Sequence, residues 1–236
     1  IGFSDAAGIF TVVIQLGAIM AAAWYFRKDL VHIVSAIISG DRFMRGFLVS
    51  VLIGVLPAAL TGLIVEKTIG LPDSLIMIAA ALILGGIAFI IVENGHIKKS
   101  NSMGEVAYAE ITPIRALYIG IGQCFALIPG VSRSGATIMG GLLTGLDRKT
   151  ATVFSFYLSI PIMLAASALK LIDGKSELSK ISGGTPALAV GVICAFVTAL
   201  LAINWLLKYV STKDFKPFAY YRIALGLIIF LVLVIN

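Results

Sequence analysis

Long apolar stretches alternate with short polar ones along most of this sequence. Six of the apolar stretches are long enough for a helix that crosses a bilayer, which takes about 20 residues. Their approximate bounds are Phe10–Phe26, Phe47–Val65, Leu75–Val92, Thr152–Leu169, Ala187–Leu207 and Phe218–Ile235. No Asp or Glu lies inside any of these runs. The pattern therefore predicts an all-α integral membrane protein with six transmembrane helices.

The composition agrees with that class of protein. Hydrophobic residues make up 59% of the 236 residues and charged residues 13%, whereas a soluble domain is about half apolar and a quarter charged. At this length we predict a single membrane domain over residues 1–236. The formal net charge of +6 does not indicate a nucleic-acid partner, because membrane topology and anionic lipid headgroups account for basic residues in short loops.

A seventh apolar region, from Pro113 to Gly145, is interrupted by helix breakers and polar residues. Pro129 and Gly130 break a helix, and each flanking piece is too short to cross a bilayer. Irregular backbone inside a membrane is tolerated only where it is buried in protein or lines a cavity. We therefore predict that residues 113–145 form a re-entrant helix–turn–helix.

The interruption carries the most informative polar residues of the chain. Arg133 is the one basic residue that we place inside the membrane, where an unpaired charge is costly. Ser132 or Ser134 can cap the following helix and leave free backbone N–H groups at its start, which we expect near Gly135 and Ala136. A helix N-terminus with hydroxyls and an arginine predicts an anion site, and phosphate is the obvious anion.

We assign roles within this predicted site as follows. Arg133 and Ser132 are the catalytic candidates, and Gln123 is a supporting residue that either orients a water molecule or bonds a neighbouring helix. The phosphate-binding candidates are Ser132, Arg133, Ser134, Gly135 and Thr137, with Ser134 and Thr137 close to one helical face because they are three residues apart. The competing interpretation is a Pro-Gly kink with serine caps and an arginine at the membrane edge.

Other reactive residue types do not add a second site to this picture. Cys124 and Cys194 lie in apolar runs and are interpreted as small packing residues. His32 and His96 fall in predicted loops. The sequence shows no Cys/His cluster for zinc, and we predict no metal ligand within the motif.

The basic residues predict the orientation of the chain. Of the 18 Lys and Arg residues, 13 fall in the predicted loops Arg27–Gly46, Glu93–Arg115, Asp147–Thr150 and Lys208–Arg222. The positive-inside rule places these loops in the cytoplasm and the C-terminus outside.

The two halves of the chain have a similar order of apolar runs. Phe10 to Phe26 aligns with Phe154 to Lys170 at an offset of 144, and the next two runs align at an offset of 140, which places Gly86 on Gly226. Because the copies enter the membrane from opposite sides, we predict an inverted-topology repeat, with residues 10–92 as the first copy and 113–235 as the second. The counterpart of residues 113–145 would fall before Ile1, so we expect the re-entrant part of the first copy to be missing from this sequence.

The motif also resembles that of a known family. Residues 126–137 read Ala-Leu-x-Pro-Gly-x-Ser-Arg-Ser-Gly-x-Thr, which is similar to the second signature of the undecaprenyl-diphosphate phosphatases, the bacitracin-resistance family of lipid phosphatases. Similar runs stand at Val13–Gly17, Phe154–Phe156 and Pro217–Arg222, so the likeness covers nearly the whole chain. The resemblance implies a multi-pass enzyme of the bacterial inner (plasma) membrane. It would hydrolyse undecaprenyl diphosphate to undecaprenyl phosphate, recycle the lipid carrier for cell-wall synthesis and confer bacitracin resistance.

The resemblance implies further components. It implies a divalent cation, Mg²⁺ or Ca²⁺, whose Glu ligands belong with a catalytic His to an N-terminal signature that this sequence does not contain, so we expect the chain alone to be inactive. The implied partners are a polyprenyl diphosphate and membrane lipids, with a homodimer as an open alternative to a monomer. Arg148 resembles a family position but lies away from the motif, and we expect it to matter much less for turnover.

Two other functions remain open on the residues alone. A polyprenyl-phosphate flippase or transporter would need the same anion site without hydrolysis, and an anion channel could use Arg133 as a selectivity residue. A histidine or carboxylate upstream of Ile1 would favour hydrolysis, because catalysis needs such a group and binding does not.

Overall fold

The computed structural model describes residues 9–68, 74–95, 106–173 and 184–235. Within these ranges the regular structure is helical, which confirms the predicted all-α class. The described helices are α1 (Ile9–Tyr25), α2 (Arg27–Ile38), α3 (Arg42–Thr68), α4 (Leu75–Gly95), α5 (Pro113–Cys124), α6 (Arg133–Leu143), α7 (Arg148–Asp173), α8 (Gly184–Val210) and α9 (Lys216–Ile235). Short 3-10 turns at Tyr108–Glu110 and Phe125–Leu127 flank α5.

Five of the helices in the described ranges are long and apolar enough to cross a membrane, namely α3, α4, α7, α8 and α9. The sixth predicted span corresponds to α1, which meets the length only together with α2, and the two helices are bent by 67° at Phe26. The prediction of a loop from Arg27 onward is therefore wrong as far as Ile38. His32 lies exposed on α2 rather than in a loop, and His96 lies outside the described residues.

The chain divides into two compact units. One contains residues 1–39 and 159–206, and in it Gly17 of α1 packs closely against the backbone of α8 near Val192 and Phe196. The other contains residues 40–158 and 207–236, and it holds the Ser-Arg-Ser motif. The prediction of a single membrane domain stays a prediction.

In the second unit, α4 and α9 pack through a reciprocal pair of glycines. A methyl group built on Gly86 would lie 2.8 Å from the carbonyl oxygen of Ala219, and one built on Gly226 would lie 2.8 Å from the carbonyl oxygen of Ala79. Both glycines and both alanines are related by the predicted offset of 140. The contacts between these two helices therefore follow the predicted repeat, although the repeat over the whole chain stays a prediction.

A second close contact positions the helix that leads into the motif. Gly120 of α5 lies against the backbone of Gly54 in α3, and a side chain at either residue would meet the other helix or its neighbours. Small residues at helix crossings let backbones approach closely, as is common in membrane proteins. This contact holds α5 against α3 and thereby fixes where the motif begins.

Candidate phosphate-binding site

The region from Pro113 to Gly145 forms the predicted helix–turn–helix. Thr112 caps α5, since its side chain accepts the N–H of Arg115 at 3.4 Å, and Pro113 occupies the first turn, where no N–H is needed. Helices α5 and α6 have 12 and 11 residues, too few to cross a bilayer singly. Their location inside a membrane stays a prediction.

The turn between the two helices is pressed against α4 at Gly130. This glycine has φ of +93°, a conformation that costs a residue with a side chain. A methyl group added to it would lie 2.7 Å from the carbonyl oxygen of Ile78 and 3.0 Å from the side chain of Ala81. Only glycine fits here, and the contact fixes the position of the turn along the axis of α4.

Ser132 caps α6 from a strained conformation. Its φ is +61°, and it is the one residue other than glycine with positive φ among those the structure describes. Its side-chain oxygen accepts the N–H of Gly135 at 3.2 Å, and its carbonyl oxygen accepts the N–H of Ala136 at 3.0 Å. Strain of about 1–3 kcal/mol in such a residue persists only where the surroundings hold it, and it is concentrated at functional sites.

This cap changes which backbone groups remain free. The N–H groups of Gly135 and Ala136 are taken by Ser132 itself, so the prediction that they face a bound anion is wrong. Instead, the N–H groups of Arg133 and Ser134 have no acceptor within the described part of the chain. The free N–H groups of α6 therefore lie two residues closer to Pro129 than the sequence suggested.

Arg133 is half-buried at the start of α6. No hydrogen bond to its guanidinium and no acidic group within ion-pair distance is found among residues 9–68, 74–95, 106–173 and 184–235. Ser134 is exposed, and its hydroxyl lies 3.4 Å from that of Ser132. The structure thus brings together a guanidinium, two hydroxyls and two N–H groups at the start of one helix.

Thr137, one turn into α6, is buried, whereas Ser134 is exposed. Thr137 is 1% exposed, and its hydroxyl donates to the carbonyl oxygens of Arg133 and Ser134, each at 3.1 Å. The same hydroxyl lies 2.7 Å from that of Ser155 on α7. The three-residue spacing of Ser134 and Thr137 therefore does not give the two hydroxyls a common environment, and Thr137 joins helices instead.

Gln123 is the buried polar residue nearest the end of α5. It is 2% exposed, and neither its amide nitrogen nor its amide oxygen has a hydrogen-bond partner in the described part of the chain. A bond to a neighbouring helix, one of the two predicted roles, is therefore not seen. An unpaired buried amide costs about 1–3 kcal/mol, so its retention beside the motif is consistent with a bond to water or to substrate.

Two residues beside the motif were not predicted from the sequence. Arg222 was placed in a loop running from Lys208 to Arg222, but the structure places it on α9, and only residues 211–215 separate α8 from α9. Its Nη2 donates to the carbonyl oxygen of Gly130 at 2.9 Å. The sequence did contain a signal for it, because the apolar run Phe218–Ile235 includes Arg222. The second residue is Ser155, and its signal was its place in the run Phe154–Phe156 that resembles the family.

Arg148 is the second arginine that the structure reinterprets. At the start of α7 it binds Glu93 of α4 through Nε and Nη2. The carboxylate is buried, and it also accepts the N–H of Phe215 at 3.0 Å. Arg148 is thus a structural ion-pair residue that ties α4, α7 and the start of α9 together, and it is not a free loop arginine.

An apolar cavity of about 840 Å³ lies between α4, α5 and α6. Val131 and Ala136 of the motif region line it, and Arg115 and Thr144 are among its few polar residues. The rest of its lining is mainly apolar and includes Leu84, Ala88, Val92, Ile121, Phe125 and Met139. An apolar space therefore adjoins the start of α6.

A divalent cation needs several oxygen, nitrogen or sulfur ligands close together. No group of three or more His, Cys, Asp or Glu residues that could hold a metal ion occurs among the described residues. The motif offers hydroxyls and a guanidinium, whereas Mg²⁺ and Ca²⁺ are bound mainly through carboxylates. The described part of the chain therefore does not by itself fit the cation that the resemblance implied.

Comparison with known proteins agrees with the motif. Residues 1–228 match the model of the family described as "Bacitracin resistance protein BacA". The chain is 42% identical to Undecaprenyl-diphosphatase 1 of Burkholderia cenocepacia (strain HI2424), over 98% of this chain and 84% of that protein. It is 43% identical to Undecaprenyl-diphosphatase 1 of Paraburkholderia xenovorans (strain LB400), over 98% and 84%. It is 40% identical to Undecaprenyl-diphosphatase of Burkholderia mallei (strain SAVP1), over 97% and 82%. The predicted resemblance is confirmed, and the chain belongs to the bacitracin resistance protein BacA family.

Proposed function

We propose that this protein is a membrane-bound phosphatase that hydrolyses undecaprenyl diphosphate to undecaprenyl phosphate and inorganic phosphate. The observation that carries the proposal is the half-buried guanidinium of Arg133, which has no acidic partner in the described ranges and lies at the open end of α6. A buried charge without a partner is costly, and a bound diphosphate supplies the missing negative charge. The relatives are named undecaprenyl-diphosphatases, which indicates the same class of substrate.

Arg133 and the start of α6 would bind the phosphoryl oxygens. A guanidinium can hold two phosphate oxygens at once in a planar fork. The N–H groups of Arg133 and Ser134 add donors that are fixed by the helix, and the helix N-terminus favours negative charge. Such preorganised donors lower the barrier most when they point at charge that develops in the transition state.

Ser132 has a hydroxyl arranged to donate to a phosphate oxygen. Its oxygen already accepts the N–H of Gly135, so the orientation of the hydroxyl is partly fixed and its proton remains available. Ser134 lies close enough to contribute a second hydroxyl. We therefore assign Arg133 and Ser132 to the reacting phosphoryl group, with Ser134 beside them and Thr137 as the residue that positions the helix.

The overall reaction breaks the bond between the terminal phosphorus and the bridging oxygen. The bridging oxygen keeps the electron pair and becomes part of undecaprenyl phosphate, while water supplies the oxygen that completes inorganic phosphate. Neutralising charge on the terminal phosphoryl group and on the leaving oxygen is the main requirement of phosphoryl transfer. The residues at the start of α6 meet that requirement.

The cavity between α4, α5 and α6 supports a lipid substrate. Its lining is mainly apolar, and it reaches the motif at Val131 and Ala136. Burial of apolar surface stabilises a bound hydrocarbon by about 25 cal/mol per Å². We propose that the isoprenoid chain next to the diphosphate occupies this cavity while the headgroup lies at the start of α6.

We also propose a location and an orientation. The helices long enough to cross a membrane and the activity of the relatives support the plasma membrane of a bacterium, where the product would re-enter cell-wall synthesis. The excess of basic residues in the loops assigned to the cytoplasm remains after Arg222 is moved onto α9, and this bias supports a C-terminus outside the cell.

Release of inorganic phosphate from undecaprenyl diphosphate by the purified protein tests the proposal. The assay is run on the 236-residue chain and on the same chain carrying the N-terminal signature of the family, and the form with the higher turnover is called the active form below. Turnover by either form supports a phosphatase. Stoichiometric binding of the lipid without phosphate release by both forms would contradict hydrolysis and support the flippase alternative instead.

A further inference from the structure

We propose that Arg222 is a positioning residue of the phosphate site, which holds the turn before α6 in the conformation that the site requires. This role rests on the proposed phosphatase function of Ser132 and Arg133. The evidence for this role is a pair of hydrogen bonds from one guanidinium nitrogen of Arg222. They join α9 to α4 and to the turn between α5 and α6, which is called the motif turn.

The two bonds go to backbone carbonyls. Nη2 of Arg222 donates to the carbonyl oxygen of Gly130 at 2.9 Å and to that of Ala81 at 3.3 Å. Gly130 belongs to the motif turn and Ala81 belongs to α4. Because carbonyl oxygens accept hydrogen bonds strongly from a charged donor, Arg222 fastens the turn to the helix on which it rests.

The neighbouring helix is shaped to accept this guanidinium. A methyl group at Gly85 of α4 would collide with the guanidinium of Arg222. The reciprocal contacts of Gly86 and Gly226 bring α4 and α9 close enough for the side chain to reach across. Nε of Arg222 is buried without a hydrogen-bond partner in the described ranges. The guanidinium is therefore partly removed from water, and the hydrogen bonds that the structure shows for it are those of Nη2.

The turn needs such a restraint because its backbone is strained. Gly130 and Ser132 both have positive φ, at +93° and +61°, and Ser132 carries a side chain that disfavours this conformation. If the Gly130 carbonyl is released, the turn can relax. The hydroxyl of Ser132 and the N–H groups of Arg133 and Ser134 then no longer converge on one point.

This arrangement separates a positioning role from direct substrate binding. The donor bonds that the structure shows for Arg222 end on the protein backbone, so substrate affinity in the ground state should depend little on it. Misplacing donors by a fraction of an ångström weakens transition-state stabilisation more than ground-state binding. We therefore expect kcat to fall while KM changes little.

The test compares Arg222→Met and Arg222→Lys in the active form. Arg222→Met, which keeps the long apolar stem, should lower kcat by about 10-fold to 10²-fold, the range that a small misplacement produces. Its KM should stay within about twofold, since a mutation that lowers kcat alone has removed an interaction of the transition state. Arg222→Lys can still donate one bond to Gly130 and should recover part of the lost kcat. Arg42→Met, at an exposed arginine in the same compact unit, should leave both constants unchanged.

A second variant covers the case in which Arg222→Met does not fold. Gly85→Ala keeps the arginine but displaces its guanidinium, and it should lower kcat; its KM does not enter the test, because Gly85 also lines the cavity. Folded Arg222→Met with the kcat of the parent would overturn the proposal, as would a large rise in KM at unchanged kcat. If Arg222→Met does not fold, a parental kcat in Gly85→Ala would overturn it. Failure of the parent itself to release phosphate would instead reject the proposed function.

Discussion

The hydroxyl oxygens of Thr137 and Ser155 lie 2.7 Å apart and join α6 to α7. Both residues are buried, at 1% and 6% exposure. Since the hydroxyl of Thr137 is also within 3.1 Å of the carbonyl oxygens of Arg133 and Ser134, the bond from α7 acts on the first turn of α6. The position of the proposed phosphate site therefore depends on a contact outside the motif.

Replacing this hydroxyl should weaken both the fold and the site. Thr137→Val keeps the shape but leaves the hydroxyl of Ser155 buried without its partner, which costs about 1–3 kcal/mol. We expect a lower thermal unfolding temperature in detergent and a lower kcat in the active form. Thr198→Val is the matched control, because that threonine is exposed and its one side-chain hydrogen bond among the described residues goes to the carbonyl of Cys194 in its own helix.

The double variant Thr137→Val with Ser155→Ala sharpens this prediction. When both partners of a buried hydrogen bond are removed, no polar group is left unpaired. The double variant should therefore be more stable than the sum of the two single changes indicates. Strictly additive losses would show that the two hydroxyls are not coupled and would contradict the role assigned to Thr137.

Loss of Arg148 should affect folding more than chemistry. Arg148→Ala leaves the carboxylate of Glu93 buried beside the Phe215 N–H without its cationic partner, and removing one member of a buried pair costs about 3–5 kcal/mol. We expect a marked fall in thermal stability and in the yield of folded protein. Turnover per folded molecule should fall much less than it does after a change at Arg133.

Lys149→Ala serves as the control for this comparison. Lys149 is next to Arg148 in the sequence, and its side chain forms no ion pair within the described ranges. It should leave stability close to that of the parent. If Arg148→Ala were as stable as Lys149→Ala but lost most of its turnover, Arg148 would belong to the reaction and its structural interpretation would be wrong.

The apolar pattern predicted the long apolar helices well, though not α2, because burial in a membrane and helix formation depend on the same run of residues. It placed helix starts too late, since α3, α7 and α9 begin at Arg42, Arg148 and Lys216, ahead of the predicted apolar runs. Hydropathy marks only the part of a helix that is apolar enough for the lipid core, whereas the helix continues through polar residues into the membrane interface. The same bias placed Arg222 in a loop.

The motif was predicted by its residue types, and its geometry was not. Proline, glycine and serine predicted a break and a cap, and the structure confirms both at Gly130 and Ser132. Which N–H groups stay free depends on the positive φ of Ser132, which no local pattern signals for a serine. The bonds from Ser155 and Arg222 join residues distant in sequence, so they became visible only in the fold.

Filling the cavity between α4, α5 and α6 should weaken binding of the lipid substrate. Gly122 lines the cavity, and a methyl group there would make only an ordinary contact, at 3.7 Å from the carbonyl oxygen of Ala136. In Gly122→Leu we expect the KM for undecaprenyl diphosphate to rise about tenfold, the loss expected when one or two methylene groups at about 0.8 kcal/mol each lose their contact. The KM for farnesyl diphosphate, which carries the same isoprenoid units next to its diphosphate, should rise to a similar extent.

The control for this experiment is Gly46→Leu, which adds the same side chain at an exposed position with nothing within 4 Å. It should change neither KM. An unchanged KM for both substrates in folded Gly122→Leu would mean that the cavity does not hold the isoprenoid chain, and the assignment of the cavity would be withdrawn.

The central claim is that Arg133 binds the phosphoryl group as it reacts, and its most direct test is kcat/KM for undecaprenyl diphosphate in the active form. Arg133→Ala should lower this value by about 10²-fold or more, the scale for losing one donor to developing charge. Arg133→Lys keeps the charge but loses the planar fork, so it should remain clearly impaired. Thermal unfolding of both variants should match that of the parent, and Arg42→Ala should leave kcat/KM unchanged. A folded Arg133→Ala protein with near-normal kcat/KM would contradict the phosphate site and favour a Pro-Gly kink with serine caps.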